Sequence, residues 1–137
     1  MASIYVYKGD GFDTQFTWRD DKYLYQGEGY DVFMTIRDGK YLYPGETYTT
    51  AFTMRDQQAY MSICLGDGYD NHYTIRDNQS HLAICKGDSL ETSYAIRDNG
   101  SYTAICEGDG HDVLYSIRGG SLNQAQLAAT LHGLGLI

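Results

Sequence analysis

Large apolar and small polar residues alternate along the first 120 positions in a pattern that returns six times. Ahead of each repeat's Arg stands a large residue (Trp18, Ile36, Met54, Ile75, Ile96, Ile117), and two positions earlier another (Phe16, Met34, Phe52, Tyr73, Tyr94, Tyr115). Between them lies a small one: Thr17, Thr35, Thr53, Thr74, Ala95 or Ser116. A period of two over so short a segment is that of a β-strand with one face in a core. A second short run precedes it in each unit, carrying Val6, Leu24, Leu42, Ile63, Ile84 or Ile105 three residues before a Gly. In the second unit Val32, Met34 and Ile36 are expected on one face, and Phe33, Thr35 and Arg37 on the other.

The punctuation between the runs is just as regular. Gly9, Gly27, Gly45, Gly66, Gly87 and Gly108 are each answered ten residues on by Arg19, Arg37, Arg55, Arg76, Arg97 and Arg118. The interval from Arg to the next Gly is eight residues in the first two gaps and eleven in the last three. A fixed internal period means one supersecondary unit copied along the chain. Asp38-Gly39 between two strand-like runs predicts a tight type I′ hairpin turn, and Asn99-Gly100 stands at the equivalent place in the fifth unit. The expected fold is therefore all-β: six tandem two-stranded repeats of 18 to 21 residues closing into a barrel-like, prism-like or toroidal array. The alternative is a β-solenoid, which would stack six like-charged Arg one strand spacing apart.

Two groups of three units are expected. The first strand carries Tyr5/Tyr7, Tyr23/Tyr25 and Tyr41/Tyr43 in units one to three, but Ser62/Cys64, Ala83/Cys85 and Ala104/Cys106 in units four to six. The longer turns of the later units bring Tyr60, His81 and Tyr102 near the strand starts, where they refill the lost volume. After Arg118 the pattern changes to a helix. Ser121 to Gln124 has the S-x-x-Q form of a capping box, Leu127, Leu131 and Leu134 mark an apolar stripe, and Gly133 reads as the stop. The chain thus divides into a repeat region, 1–120, and an amphipathic helical segment, 121–137, that caps an open end or docks a second subunit.

Charge narrows the partners. Ten Lys plus Arg against eighteen Asp plus Glu give a net charge of −8, which argues against nucleic acid and anionic membranes. No apolar run is long enough to span a bilayer as a helix. No basic-then-apolar leader is visible at Met1-Ala2-Ser3-Ile4, and three cysteines cannot pair off internally, so a cytoplasmic location with buried thiols is expected.

Candidate chemistry concentrates in the Gly-acid loops. Asp10, Phe12 and Asp13, then Glu28, Tyr30 and Asp31, then Asp67, Tyr69 and Asp70, and finally Asp109 and Asp112 set carboxylates beside a ring or main-chain amides. A ring packs on the C–H face of a neutral sugar and a carboxylate accepts from its hydroxyls, so these are the expected ligand-binding residues. Repetition would add avidity. The expectation is a non-enzymatic, lectin-like binding module for a glycan or protein ligand. The alternatives are a structural or assembly protein that forms homo-oligomers, and a calcium-binding repeat protein, since loop oxygens of this kind can hold that ion. No other cofactor is expected. His72, His81, His111 and His132 fall at four different positions with no nucleophile motif, so no catalytic residue is assigned. The repeated Arg are expected to bond carbonyls or carboxylates of a neighbouring unit.

Overall fold

A computed structural model describes residues 3–137; Met1 and Ala2, the start of the stretch read for a leader, lie outside the described residues. Twelve strands follow one another in pairs. They are β1 Ile4–Lys8, β2 Thr14–Trp18, β3 Tyr23–Gln26, β4 Val32–Arg37, β5 Tyr41–Pro44, β6 Phe52–Asp56, β7 Met61–Leu65, β8 Asn71–Asp77, β9 Leu82–Lys86, β10 Thr92–Asp98, β11 Thr103–Glu107 and β12 Val113–Arg118. Each pairs antiparallel with its neighbours in sequence, and β1 closes onto β12 with Val6 opposite Ile117. The result is a closed up-and-down barrel, which leaves no free edge. Hairpin closure is what forms, and the solenoid does not.

The alternation sorts the faces as the sequence indicates. Val6, Trp18, Leu24, Leu42, Ile63, Ile84 and Ile105 are fully buried in the interior cluster. Outside, Thr17, Thr35, Thr53, Cys64, Cys85 and Cys106 are buried beneath larger outward side chains. An apolar interior with Arg and hydroxyls outside is the inverse of a bilayer-spanning barrel, which is apolar outside and polar within. No helix among the described residues is long and apolar enough to cross a membrane.

One expectation of face needs correction. The register slips between Leu24 and Tyr25, so Val32 pairs with Tyr25 and Met34 with Leu24, leaving Phe33 as a β-bulge. The extra residue breaks the period of two, and Phe33 packs with the interior while Val32 leaves the face of Met34. Equivalent slips occur at Gln15, His72, Ser93 and Leu114. Each sits at the end of its strand nearest the Gly-acid loop.

The turns at the other rim follow Asp in two ways. Asp38 and Gly39 both take positive φ, 57° and 69°, as a type I′ turn requires. The longer turns are different from the expectation at Asn99-Gly100. There Asp98 accepts the Gly100 N–H at 2.9 Å, and Asp56 and Asp77 accept the N–H of Gln58 and Gln79. Positive φ falls on Gln58, Gln79 and Gly100 alone in these turns, so the Asp side chain, not a two-residue I′ geometry, organises them. Where the sixth unit has Gly119 in place of that Asp, φ is 102°, and a Cβ would stand 2.5 Å from the Ser3 carbonyl oxygen. The chain could not turn inward there with a side chain.

It turns inward to form α1, Gln124–Gly133. A barrel of eight strands is filled by its own side chains, whereas twelve leave room for more, and α1 takes that space. Seven consecutive residues, Ala125 to Leu131, are buried, so the helix is covered on every side and not along one stripe. Small Ala125, Ala128 and Ala129 let the strands approach the faces that Leu127 and Leu131 do not occupy. It is a core element sharing one cluster with the barrel, where the leucine spacing alone reads as an amphipathic cap. Asn123 is its N-cap, accepting from Gln126 N at 2.8 Å while Gln126 Oε1 accepts the Asn123 N–H at 2.9 Å. The capping box thus begins two residues after Ser121. The left-handed residue beyond the C-terminus is Gly135, φ 76°, and Gly133 is instead a packing residue whose Cβ would lie 2.7 Å from Phe16 Cζ. Trp18 Nε1 donates to Thr130 Oγ1 at 3.0 Å, tying strand to helix.

Candidate functional site

The loops following β1, β3, β5, β7, β9 and β11 stand together on one rim. Each opens on a Gly with φ between 53° and 60°, a region costly for any residue with a Cβ. That bend lets the Gly N–H donate to the carbonyl of a bulged residue in the preceding unit. Gly27 N–H reaches Gln15 O at 2.8 Å and Gly45 N–H reaches Phe33 O at 2.7 Å, while Gly9 N–H closes the circle onto Leu114 O at 2.7 Å.

A hydroxyl and a guanidinium complete a latch between units. Thr17, Thr35 and Thr53 donate through Oγ1 to the carbonyls of Gly27, Gly45 and Gly66 at 2.5–2.6 Å. Arg19 donates to Glu28 O and Gly29 O at 2.7 and 2.6 Å, Arg37 to Thr47 O at 2.8 Å, and Arg55 to Asp67 O and Gly68 O at 2.9 and 3.0 Å. Arg97 grips Asp109 O and Gly110 O, and Arg118 returns to Asp10 O at 3.2 Å. The expectation that the repeated Arg bond a neighbouring unit is met in five of the six, by carbonyls and not carboxylates. Among the described residues the one basic side chain near a carboxylate is His81, with Nε2 3.7 Å from Asp109.

The guanidinium groups carry the rings. Arg19 lies against Tyr25 and Tyr30, Arg37 against Tyr43 and Tyr48, Arg55 over Tyr69, and Arg118 between Tyr102 and Phe12, all within 4.9 Å of the ring centres. Cation–π contact fixes the ring from beneath. The other side stays open: Phe12, Tyr30, Tyr48 and Tyr69 are 74–82% exposed. Tyr60 and Tyr102 do arrive from the longer turns to replace the strand tyrosines, Tyr60 under Arg76 and Tyr102 beside Ala95, Ala104 and Cys106.

The fourth unit is the exception. Arg76 makes no hydrogen bond to the loop beginning at Gly87, and its buried Nε and the Thr74 hydroxyl have no partner. The same is true of Arg118 Nε and the Ser116 hydroxyl in the sixth unit, where Arg118 still reaches Asp10 O. That loop carries Leu90 where others carry a ring, and Asp88 accepts instead from the Asn71 side-chain amide.

All eleven expected ligand residues lie on this rim, in four of its six loops. They are not gathered into one pocket, because successive loops are two strands apart, about 10 Å along the circumference. Asp70 lines a concavity of about 370 Å³ together with Leu65, Gly68, Asn71, His72 and Lys86, and Tyr69 lines another, of about 550 Å³, with Lys40, Met54, Arg55, Gln57 and Met61. Tyr48 was outside the expected set because its loop has a single acid, Glu46, yet it is presented as the other rings are. Its position three residues after the Gly is the signal that finds it. Among the described residues no three His, Cys, Asp or Glu side chains converge as a metal site would require.

Beneath the rim, His132 at the end of α1 packs edge-on to Phe52, 4.8 Å between centres, and Phe52 stacks on His72. Burial lowers the pKa of His72, aided by the nearby charges of His132 and Lys86. The cysteines are unpaired and buried. Burial pushes all three thiols up, against a smaller opposing pull from Arg55, Arg76 and Arg97. The nucleophile is the thiolate, so a thiol reagent at pH 8 is expected to modify the native protein at least about a hundredfold more slowly than the urea-unfolded chain. Rapid modification of all three in the native state would contradict the buried placement. No family model, no curated protein and no solved structure matches this chain.

Proposed function

We propose that the loop rim is the ligand surface of a non-enzymatic binding module, and that neutral glycans are its ligand class. The observation that carries this reading is the division of labour in the loops. Each bonded Arg donates to main-chain carbonyls and none to a carboxylate, so carboxylates such as Glu28, Asp31, Asp67 and Asp70 remain uncommitted next to rings held with one face outward. A planar apolar face beside free acceptors suits a sugar's C–H face and its hydroxyls. The concavity beside Asp70 adds a recessed acceptor to this rim, and recurrence about every 10 Å around the rim favours an extended or branched glycan that meets several loops at once.

Glycan-array binding of the wild type, with and without calcium, tests it. Reproducible signals for neutral glycans are expected, weakened about tenfold by Tyr30→Ala or Asp70→Asn. These exposed substitutions leave the core intact, so thermal unfolding should be unchanged. Signals lost only on calcium removal would favour the calcium-binding alternative. An empty array with a discrete oligomer in light scattering would replace the glycan reading with assembly.

A further inference from the structure

A single helix does not fill the lumen of a twelve-stranded barrel evenly. α1 packs most closely on β3, β4 and β5, and across from it a cavity of about 310 Å³ opens at the Asp-turn rim, away from the loops. Its floor is made by Ile96, Ile117 and Leu127, all buried, and its walls by Leu82 and Leu122. Exposed Asp77 and Asp98 stand at its mouth.

Those carboxylates are held in place by their own turns. Asp77 accepts the Gln79 N–H at 2.8 Å and Asp98 the Gly100 N–H at 2.9 Å, each through Oδ1, which leaves the second oxygen of each free. Neither Lys nor Arg lines the cavity, and the chain carries a net charge of −8. An apolar floor with two fixed acceptors at the entrance is the composition of a small-molecule site, and its volume is at the lower end of the range such sites span, roughly 300–1,000 Å³. The one basic side chain in the lining, His81, has its Nε2 3.7 Å from the Asp109 carboxylate. A carboxylate ligand would therefore meet Asp77 and Asp98 with no Lys or Arg to compensate, whereas a cation would meet two carboxylates.

We propose that this cavity binds a small cationic amphiphile, an organic ammonium ion whose alkyl or aryl body enters between Leu127 and the pair Ile96 and Ile117 while its charge rests against Asp77 and Asp98. The cavity meets the loop rim through the contact of His81 with Asp109, and its test is separate from that of the rim.

Titration calorimetry with octyltrimethylammonium, well below its micellar concentration, is the test, with octyl sulfate as the partner of equal tail and opposite charge. One saturable site is expected for the ammonium, with the sulfate at least about tenfold weaker. The double substitution Asp77→Asn and Asp98→Asn keeps an acceptor for each turn and should weaken ammonium binding about tenfold. Leu122→Trp, at the half-buried wall, should occlude the entrance. Tyr30→Ala, at the far rim, should leave the titration unchanged. Sulfate binding as tightly as the ammonium, an unaltered affinity in the double Asp variant, or no saturable heat at millimolar ammonium would each overturn the proposal; the double Asp variant still decides it should Leu122→Trp fail to fold.

Discussion

Trp18→Ala is expected to lower the free energy of unfolding by about 3–5 kcal/mol, measured by urea denaturation. Trp18 is the largest fully buried side chain and faces the helix from β2. Its removal costs the packing of the indole and opens a void against α1 that neighbouring strands, fixed by ladders on both sides, cannot collapse to fill. It also removes the donor to Thr130 Oγ1. Thr130 donates in turn to Gln126 O at 2.8 Å, so its hydroxyl keeps one bond and the loss of the indole N–H adds about 1 kcal/mol. Trp18→Phe separates the two effects and should cost less than half as much. A loss below about 1 kcal/mol for Trp18→Ala, the range of a surface substitution, would mean that the helix does not occupy the lumen.

Arg55→Ala should cost about 1.5–3 kcal/mol, and Arg76→Ala about 1 kcal/mol or less. Both residues hold the same place in the repeat, at the end of the second strand of a unit. Arg55 makes two charge-assisted bonds to the carbonyls of Asp67 and Gly68 and supports Tyr69. Arg76 has its stack on Tyr60 and no bond to its loop. The difference should appear in hydrogen exchange as well, with the amides from Gly87 to Glu91 the fastest of the six loops in the wild type, and the Gly66 to Asp70 amides accelerated by Arg55→Ala. Equal costs for the two substitutions would show that the carbonyl latch contributes nothing beyond the cation–π contact.

The repeat made the barrel legible because a period of two and a fixed Gly-to-Arg interval both report local backbone geometry. Strand pairing, the buried face through Leu24, Leu42 and Ile63, and the tight turn at Asp38-Gly39 all follow from neighbours in sequence. What escaped is what depends on distance. The bulge at Phe33 leaves no mark in a pattern that still alternates on both sides of it. The helix reads as amphipathic because Ala128, Ala129 and Thr130 are neutral in composition, and only the width of a twelve-stranded barrel decides that they too are covered. In the candidate site, the role of Arg as a bridge between units was readable from its strict recurrence. That it would choose carbonyls, and so release the acids, depends on how far the guanidinium reaches along the outside of the next hairpin.

Closure by β1 onto β12 has a bearing on how the chain reaches its native state. During synthesis the first strand gains one ladder partner as soon as β2 follows it, whereas the other lies more than a hundred residues further on, so until β12 is made the sheet keeps two unpaired edges. The peptide that fills the interior leaves the ribosome later still. Until it does, the apolar face of the sheet has nothing packed against it, and aggregation through that face and the open edges competes with closure.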